Sequence, residues 1–154
     1  MAEKDERPGW DEYFMKIASV VSERSTCLRR QVGAVLVRER QILSTGYNGA
    51  PKNMKHCCET GCIRKKMKVP SGEKHELCRG LHAEMNALTQ AAANGMNVAG
   101  STIYTTASPC SLCAKMLINA GIVQVVTRDR YPDSLSEDLF REAGITILFL
   151  DGET

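Results

Sequence analysis

No uninterrupted apolar run in this sequence approaches the roughly 20 residues that span a bilayer. The opening stretch, Met1-Ala-Glu-Lys-Asp-Glu-Arg-Pro-Gly-Trp10, is charged and polar and lacks the apolar centre of a secretory signal. A dominant charge is missing as well: 20 Lys and Arg stand against 18 Asp and Glu, a formal balance of +2. So small an excess gives no reason to expect a membrane surface or a nucleic acid as partner. There is no internal repeat and no low-complexity tract, which argues against a solenoid or a disordered linker. These absences lead to the expectation of a cytoplasmic globular protein. Its 154 residues, 43% of them apolar, suit a single domain over 1–154 with one core.

Histidine is scarce and cysteine is not. Three histidines (His56, His75, His82) accompany seven cysteines, at Cys27, Cys57, Cys58, Cys62, Cys78, Cys110 and Cys113. In a reducing compartment such clusters read as metal ligands rather than disulfides. The most telling pattern is His82-Ala83-Glu84 followed downstream by Pro109-Cys110-Ser111-Leu112-Cys113. It offers zinc one imidazole and two thiolates, and leaves Glu84 as a carboxylate the metal does not need. A zinc with three protein ligands keeps a position open for water and lowers that water's pKa toward ~7. The string matches the H-x-E…P-C-x-x-C pattern of zinc-dependent nucleobase deaminases, in which the glutamate moves protons without touching the metal. Hydrolytic deamination needs one group that takes a proton from water and delivers it to the ring nitrogen and then to departing ammonia, and Glu84 is the candidate. The competing reading, a closed structural zinc with a fourth thiol, has no use for Glu84.

Apolar periodicity predicts a helix over 10–23 and a hairpin of strands 32–37 and 42–47 turning at 38–41. Helices over 82–94, 109–120 and 134–143 then alternate with strands over 101–106, 122–127 and 144–150, which implies a sheet covered on both faces. Pro109 near the start and Gly121 past the end punctuate one of these helices. Its first turn puts Cys110 and Cys113 on one side, while His82 opens its own helix, so two positive helix N-termini face the metal.

Residues 52–79 break the pattern. They hold four of the seven cysteines and two of the three histidines, with eight Lys and Arg against three Glu. A loop this long without a core of its own is usually functional or disordered, and the metal-ligating residues favour an ordered, metal-braced insertion. It is a candidate source of phosphate contacts, although most of its lysines read as a solvated face. A zinc-scaffolded nucleic-acid-binding module is the reading from a different class. The segment contains no Phe, Tyr or Trp for stacking on bases, which argues against it.

Beyond the zinc pattern stand Gln31-Val-Gly-Ala-Val35, Gly46-Tyr-Asn-Gly-Ala-Pro51, Leu81-His-Ala-Glu-Met-Asn-Ala87, Thr105-Thr-Ala-Ser-Pro-Cys110, Asn119-Ala-Gly-Ile122 and Tyr131-Pro-Asp-Ser134. On these residues the chain resembles the deoxycytidylate (dCMP) deaminase family over nearly its full length, and Gly46-Tyr-Asn-Gly49 is the most family-specific element. The resemblance implies an α/β fold, the three-layer α/β/α cytidine-deaminase-like arrangement with a central five-stranded mixed sheet. It implies hydrolysis of dCMP to dUMP and ammonia, feeding thymidylate synthesis, by a homo-oligomer, commonly a hexamer. It also implies activation by dCTP with Mg2+ and inhibition by dTTP, with Tyr47, Asn48 and Gly49 in the turn associated with the regulatory nucleotide. His82, Cys110 and Cys113 carry over as zinc ligands and Glu84 as the proton shuttle. Asn48, Ala83, Ser108 and Tyr131 carry over as substrate contacts. Asn48 has a plainer reading as half of a favoured Asn-Gly turn, and Tyr131 as a packed loop anchor.

The phage and bacterial branch of that family often holds a second, structural zinc, and the surplus ligands resemble that branch. The set expected here is Cys27, Cys57, His75 and Cys78, with Cys58 and Cys62 as alternative thiols and His56 also within the pool. The plain alternative is that several are reduced thiols. Within the same fold, deamination of dCTP, of free nucleosides or of tRNA adenosine are the competing activities. A tRNA enzyme would carry a broad basic surface, whereas the positive excess here is confined to the insertion.

Overall fold

The computed structural model describes residues 6–130 and 133–150. In chain order it runs α1 (Trp10–Ser22), β1 (Gly33–Arg38), β2 (Gln41–Tyr47), α2 (Cys57–Thr60), α3 (Ile63–Lys66), a 3-10 turn (His75–Leu77), α4 (Ala83–Ala93), β3 (Thr102–Ala107), α5 (Ser111–Asn119), β4 (Gln124–Asp129), α6 (Ser134–Glu142) and β5 (Thr146–Phe149). The strands form one sheet in the order β2-β1-β3-β4-β5. β1 is antiparallel to β2 and β3, whereas β3, β4 and β5 are parallel. The result is the expected five-stranded mixed sheet.

Parallel neighbours need crossovers, and α5 and α6 supply them. With α4 they cover one face, where Ala83, Ala87, Ala114, Leu117 and Phe140 pack on Ala34, Leu36, Ile103 and Val125. α1 covers the other face, setting Phe14, Met15 and Ala18 against Val35, Val37, Tyr104 and Val126. Strand alternation sends Val35 and Leu36 to opposite faces, so β1 is buried from Gly33 to Val37 in the middle of three layers.

Two glycines let helices lie directly on strands. A Cβ on Gly33 would sit 2.1 Å from the Ala18 carbonyl oxygen of α1, and one on Gly46 would sit 2.3 Å from Ala83 O and Ala87 N of α4. Both contacts are backbone, which cannot swing aside as a side chain can. Ser44 fixes the same seam through its hydroxyl, which donates to Ala87 O at 2.8 Å. The family-specific Gly46 therefore seats the helix that carries Glu84.

The segment 52–79 is an ordered excursion with little core of its own. Cys57, Cys62, Arg64 and Val69 are its buried residues. A two-way backbone bridge, Leu81 N to Gly49 O at 2.8 Å and Gly49 N to Leu81 O at 3.2 Å, closes its base.

Several expected boundaries moved: the helix expected over 109–120 spans Ser111–Asn119 and the strand expected over 144–150 spans Thr146–Phe149. The strand predicted over 122–127 begins at Gln124. Ile122 is apolar because it ends α5: its N–H donates to Leu117 O at 3.1 Å, after Gly121 has turned the chain at φ 87°. Its burial satisfies the helix end rather than the sheet.

Candidate active site

Two helix starts build the site. His82 is the N-cap of α4 and Cys110 the N-cap of α5, their carbonyls receiving Asn86 N and Ala114 N. His82 Nδ1 lies 3.3 Å from Cys113 Sγ and 3.4 Å from Cys110 Sγ. The three ligand atoms lie within 4.8 Å of one another, the group among the described residues drawn together closely enough to hold a metal. One imidazole and two sulfurs at the positive ends of two helices are a donor set suited to zinc. Glu84 stands beside this set but outside it.

The electrostatics agree. The Cys110 thiol is pushed down to about 4, mainly by the hydrogen bond from Cys113 and then by His82, against the opposing effect of burial. Cys113 is pushed up by that same bond, by burial and by the nearby Glu84 carboxylate. One thiolate therefore stands ready, and a bound cation would displace the proton the pair shares. His82 is raised, chiefly by its bond to Cys110. Glu84 is 4% exposed, and burial lifts its carboxyl above the ordinary range. Its Oε1 lies 3.2 Å from the Thr105 hydroxyl and its Oε2 3.5 Å from Cys113 Sγ.

A cleft of about 150 Å³ opens over these groups, lined by Ala83, Glu84 and Cys110 from the helix starts, by Ser108 just after β3 and by Asn48 and Gly49 from the turn after β2. Asn48 is less free than its expected role requires. Its Oδ1 accepts from Val32 N at 2.9 Å and its Nδ2 donates to Arg30 O at 2.7 Å, so the amide braces the loop that forms the cleft wall. The Ser108 hydroxyl likewise donates to Asp129 O at 2.6 Å. Tyr47 lies at the surface, where its carbonyl accepts from Asn86 Nδ2 at 2.7 Å. Tyr131 falls outside the described residues.

The other expected ligands, Cys27, Cys57, His75 and Cys78, line the same cleft but are not gathered within 4.8 Å. Cys57 is raised by burial and then by the charges of Cys78, Cys62 and Cys27, which places four thiols within electrostatic reach of one another. The His75 ring packs edge-on against His82 at 4.8 Å between centroids, and its Nδ1 is buried without a hydrogen-bond partner.

Two supporting residues escaped the sequence reading. Thr105 was visible as part of a strand and of the Thr105-Thr-Ala-Ser-Pro-Cys110 motif without a role of its own, yet its hydroxyl meets Glu84. Asp133 accepts from Ser111 N at 2.9 Å and Ser136 N at 3.1 Å, bracing the first turn of α5 and capping α6 together. The Asp-Ser start of a predicted helix was the available signal for it.

Comparison with known proteins places this geometry. The profile of the cytidine and deoxycytidylate deaminase zinc-binding region matches residues 8–128. Deoxycytidylate deaminase of Saccharomyces cerevisiae is 40% identical over 92% of this chain, and that of phage T4 is 33% identical over 86% of both chains. The chain spans 45% and 44% of the lengths of the Saccharomyces and Schizosaccharomyces pombe relatives. Cyanophage S-TIM5 dCMP deaminase, solved in complex with dCMP and dUMP, superposes with a TM-score of 0.76 at 31% identity, covering 94% of this chain and 98% of that one. With the profile extending from α1 through β4 and enclosing the His82, Cys110 and Cys113 donor set, this chain belongs to the zinc-binding cytidine and deoxycytidylate deaminase family.

Proposed function

We propose that this chain is a zinc-dependent hydrolase that converts dCMP to dUMP and ammonia. The observation that carries the reading is the placement of Glu84: buried, at the cleft floor, beside a zinc-type donor set that does not include it. His82, Cys110 and Cys113 would hold the zinc, which would supply a Lewis acid that makes water nucleophilic near neutral pH. Glu84 takes a proton from the attacking water, gives it to N3 of cytosine as C4 becomes tetrahedral, and then shuttles a proton to the departing amine. Its desolvated carboxyl has the raised proton affinity such a relay needs. Ala83 and Ser108, which line the cleft, meet the base edge in this reading, and Asn48 shapes the wall beside the sugar. Tyr131 keeps its proposed role near the base.

The second metal belongs to the same proposal. A structural zinc on Cys27, Cys57, His75 and Cys78 accounts for the orphaned His75 Nδ1 and the mutual proximity of the thiols, with Cys62 as the alternative donor. About two zinc ions per chain would support it, and about one would remove it. Activation by dCTP with Mg2+ and inhibition by dTTP, with Tyr47, Asn48 and Gly49 in the turn for the regulatory nucleotide, rest on the family resemblance, as does a homohexamer. Among the described residues no helix is long and apolar enough to cross a membrane.

The substrate is tested by following loss of cytosine absorbance with dCMP, dCTP, deoxycytidine and cytidine on the zinc-loaded protein. dCMP is expected to be preferred, with dUMP and ammonia as products. Equal turnover of deoxycytidine, or none of dCMP, would overturn the reading.

A further inference from the structure

α3 presents Arg64-Lys65-Lys66, and its three cations have different fates. Lys65 and Lys66 reach outward to the carbonyls of Leu28 and Thr60 at 3.5 and 2.9 Å. Arg64 turns inward: only 8% of it is exposed, and it lines the cleft with Glu84, Asn48 and Ser108. Its Nε is buried without a hydrogen-bond partner, and among the described residues no carboxylate pairs with its guanidinium. The other two cleft arginines are engaged, Arg29 with Val69 O at 3.4 Å and Arg30 with Asp129 at 3.3 Å. Glu84 is the one carboxylate among the lining residues. A guanidinium buried without an anion is costly to keep, so a site that retains one is built for an anion that arrives later.

We propose that Arg64 is the binding residue for the 5′-phosphate of the substrate, and that the insertion thereby confers the preference for a nucleotide over a nucleoside. This rests on the reading that the cleft takes a cytosine nucleotide. The base must reach Glu84, and the same cleft is lined by Arg64, Ser71 and Gly72 of the insertion, which leaves the guanidinium available to the phosphate end of the nucleotide. The planar fork of arginine matches two phosphate oxygens at once. A nucleoside leaves that fork unpaired, and sites that bury a polar group for a ligand discriminate strongly against analogues lacking its partner.

The test compares kcat/KM for dCMP and deoxycytidine in wild type, Arg64→Gln and Arg64→Lys, each checked for zinc content. The dCMP-to-deoxycytidine ratio is expected to fall about 10²-fold in Arg64→Gln and less in Arg64→Lys. Calorimetric binding of dUMP against deoxyuridine reads the same preference without turnover and should collapse in parallel. A wild type inactive on every cytosine substrate would sink the deaminase reading, while a lost dUMP preference in Arg64→Gln would still support the phosphate anchor. Parallel loss with both substrates, or loss of zinc at an unchanged ratio, would show that the guanidinium serves the fold or the thiol cluster and overturn the proposal. Should Arg64→Gln not fold, Arg64→Lys decides: an unchanged dUMP-to-deoxyuridine preference overturns the anchor, and a reduced one supports it.

Discussion

Two clusters of zinc-type ligands lie in this chain a few residues apart, and they are positioned by different means. His82, Cys110 and Cys113 sit at the starts of helices that pack on the sheet core through Ala87, Ala114 and Leu117, so the fold itself brings the donors within 4.8 Å. Cys27, Cys57, His75 and Cys78 hang on a loop and an insertion with few buried apolar residues, and they share a cleft wall without converging to that degree. The first cluster is preorganised, with the core supplying the ordering. In our proposal the second leaves that ordering to the metal. A catalytic site cannot tolerate movement of the donors under Glu84, whereas a structural clamp can be drawn tight by the ion it binds.

Removing metal is the most forceful way to break this comparison. Chelation is expected to abolish turnover and to raise amide exchange across residues 52–79 toward that of an unfolded chain, with the amides of β1, β3 and β4 still protected. Equal loss of protection in strands and insertion would erase the distinction. Gly46→Ala attacks the preorganised side instead. The added Cβ meets backbone of α4 at 2.3 Å, and the expected cost is at least about 2 kcal/mol in urea unfolding, with turnover falling because Glu84 and His82 move with the helix. Asn48→Ala sharpens the account on a smaller scale. It removes two bonds that fix the cleft wall, and about 1 kcal/mol of stability is expected to go with them. A rise in KM with little change in kcat would then mark Asn48 as a brace of the wall, and a collapse of kcat would return it to direct contact with the reacting base.

The same division governed what could be read from residues alone. The helices that open at His82 and Cys110 were legible because local chemistry marks them: Pro109 precedes one start, Gly121 ends that helix, and the strong helix formers Ala, Met, Leu and Gln fill the other. The covering of the sheet on both faces followed from strand-helix alternation, whereas the strand order β2-β1-β3-β4-β5 depends on pairings that no local pattern specifies. The start of β4 was misplaced by two residues because Ile122 looks like strand sequence while its burial serves a helix end. Arg64 was not separable from Lys65 and Lys66 by composition, since only the packing of α3 decides which cation turns inward. Asn48 was legible as a turn residue and as a family position, but the partners of its amide come from Arg30 and Val32, which no local pattern specifies.

The central claim is that Glu84 moves protons beside a zinc it does not hold. It is tested most directly by Glu84→Gln, measuring zinc per chain and dCMP turnover on the same preparation. The amide keeps the shape of the carboxylate and removes its basicity, so the zinc content is expected to match wild type while turnover falls by at least about 10²-fold. Near wild-type turnover, or loss of the catalytic zinc together with the carboxylate, would contradict the account.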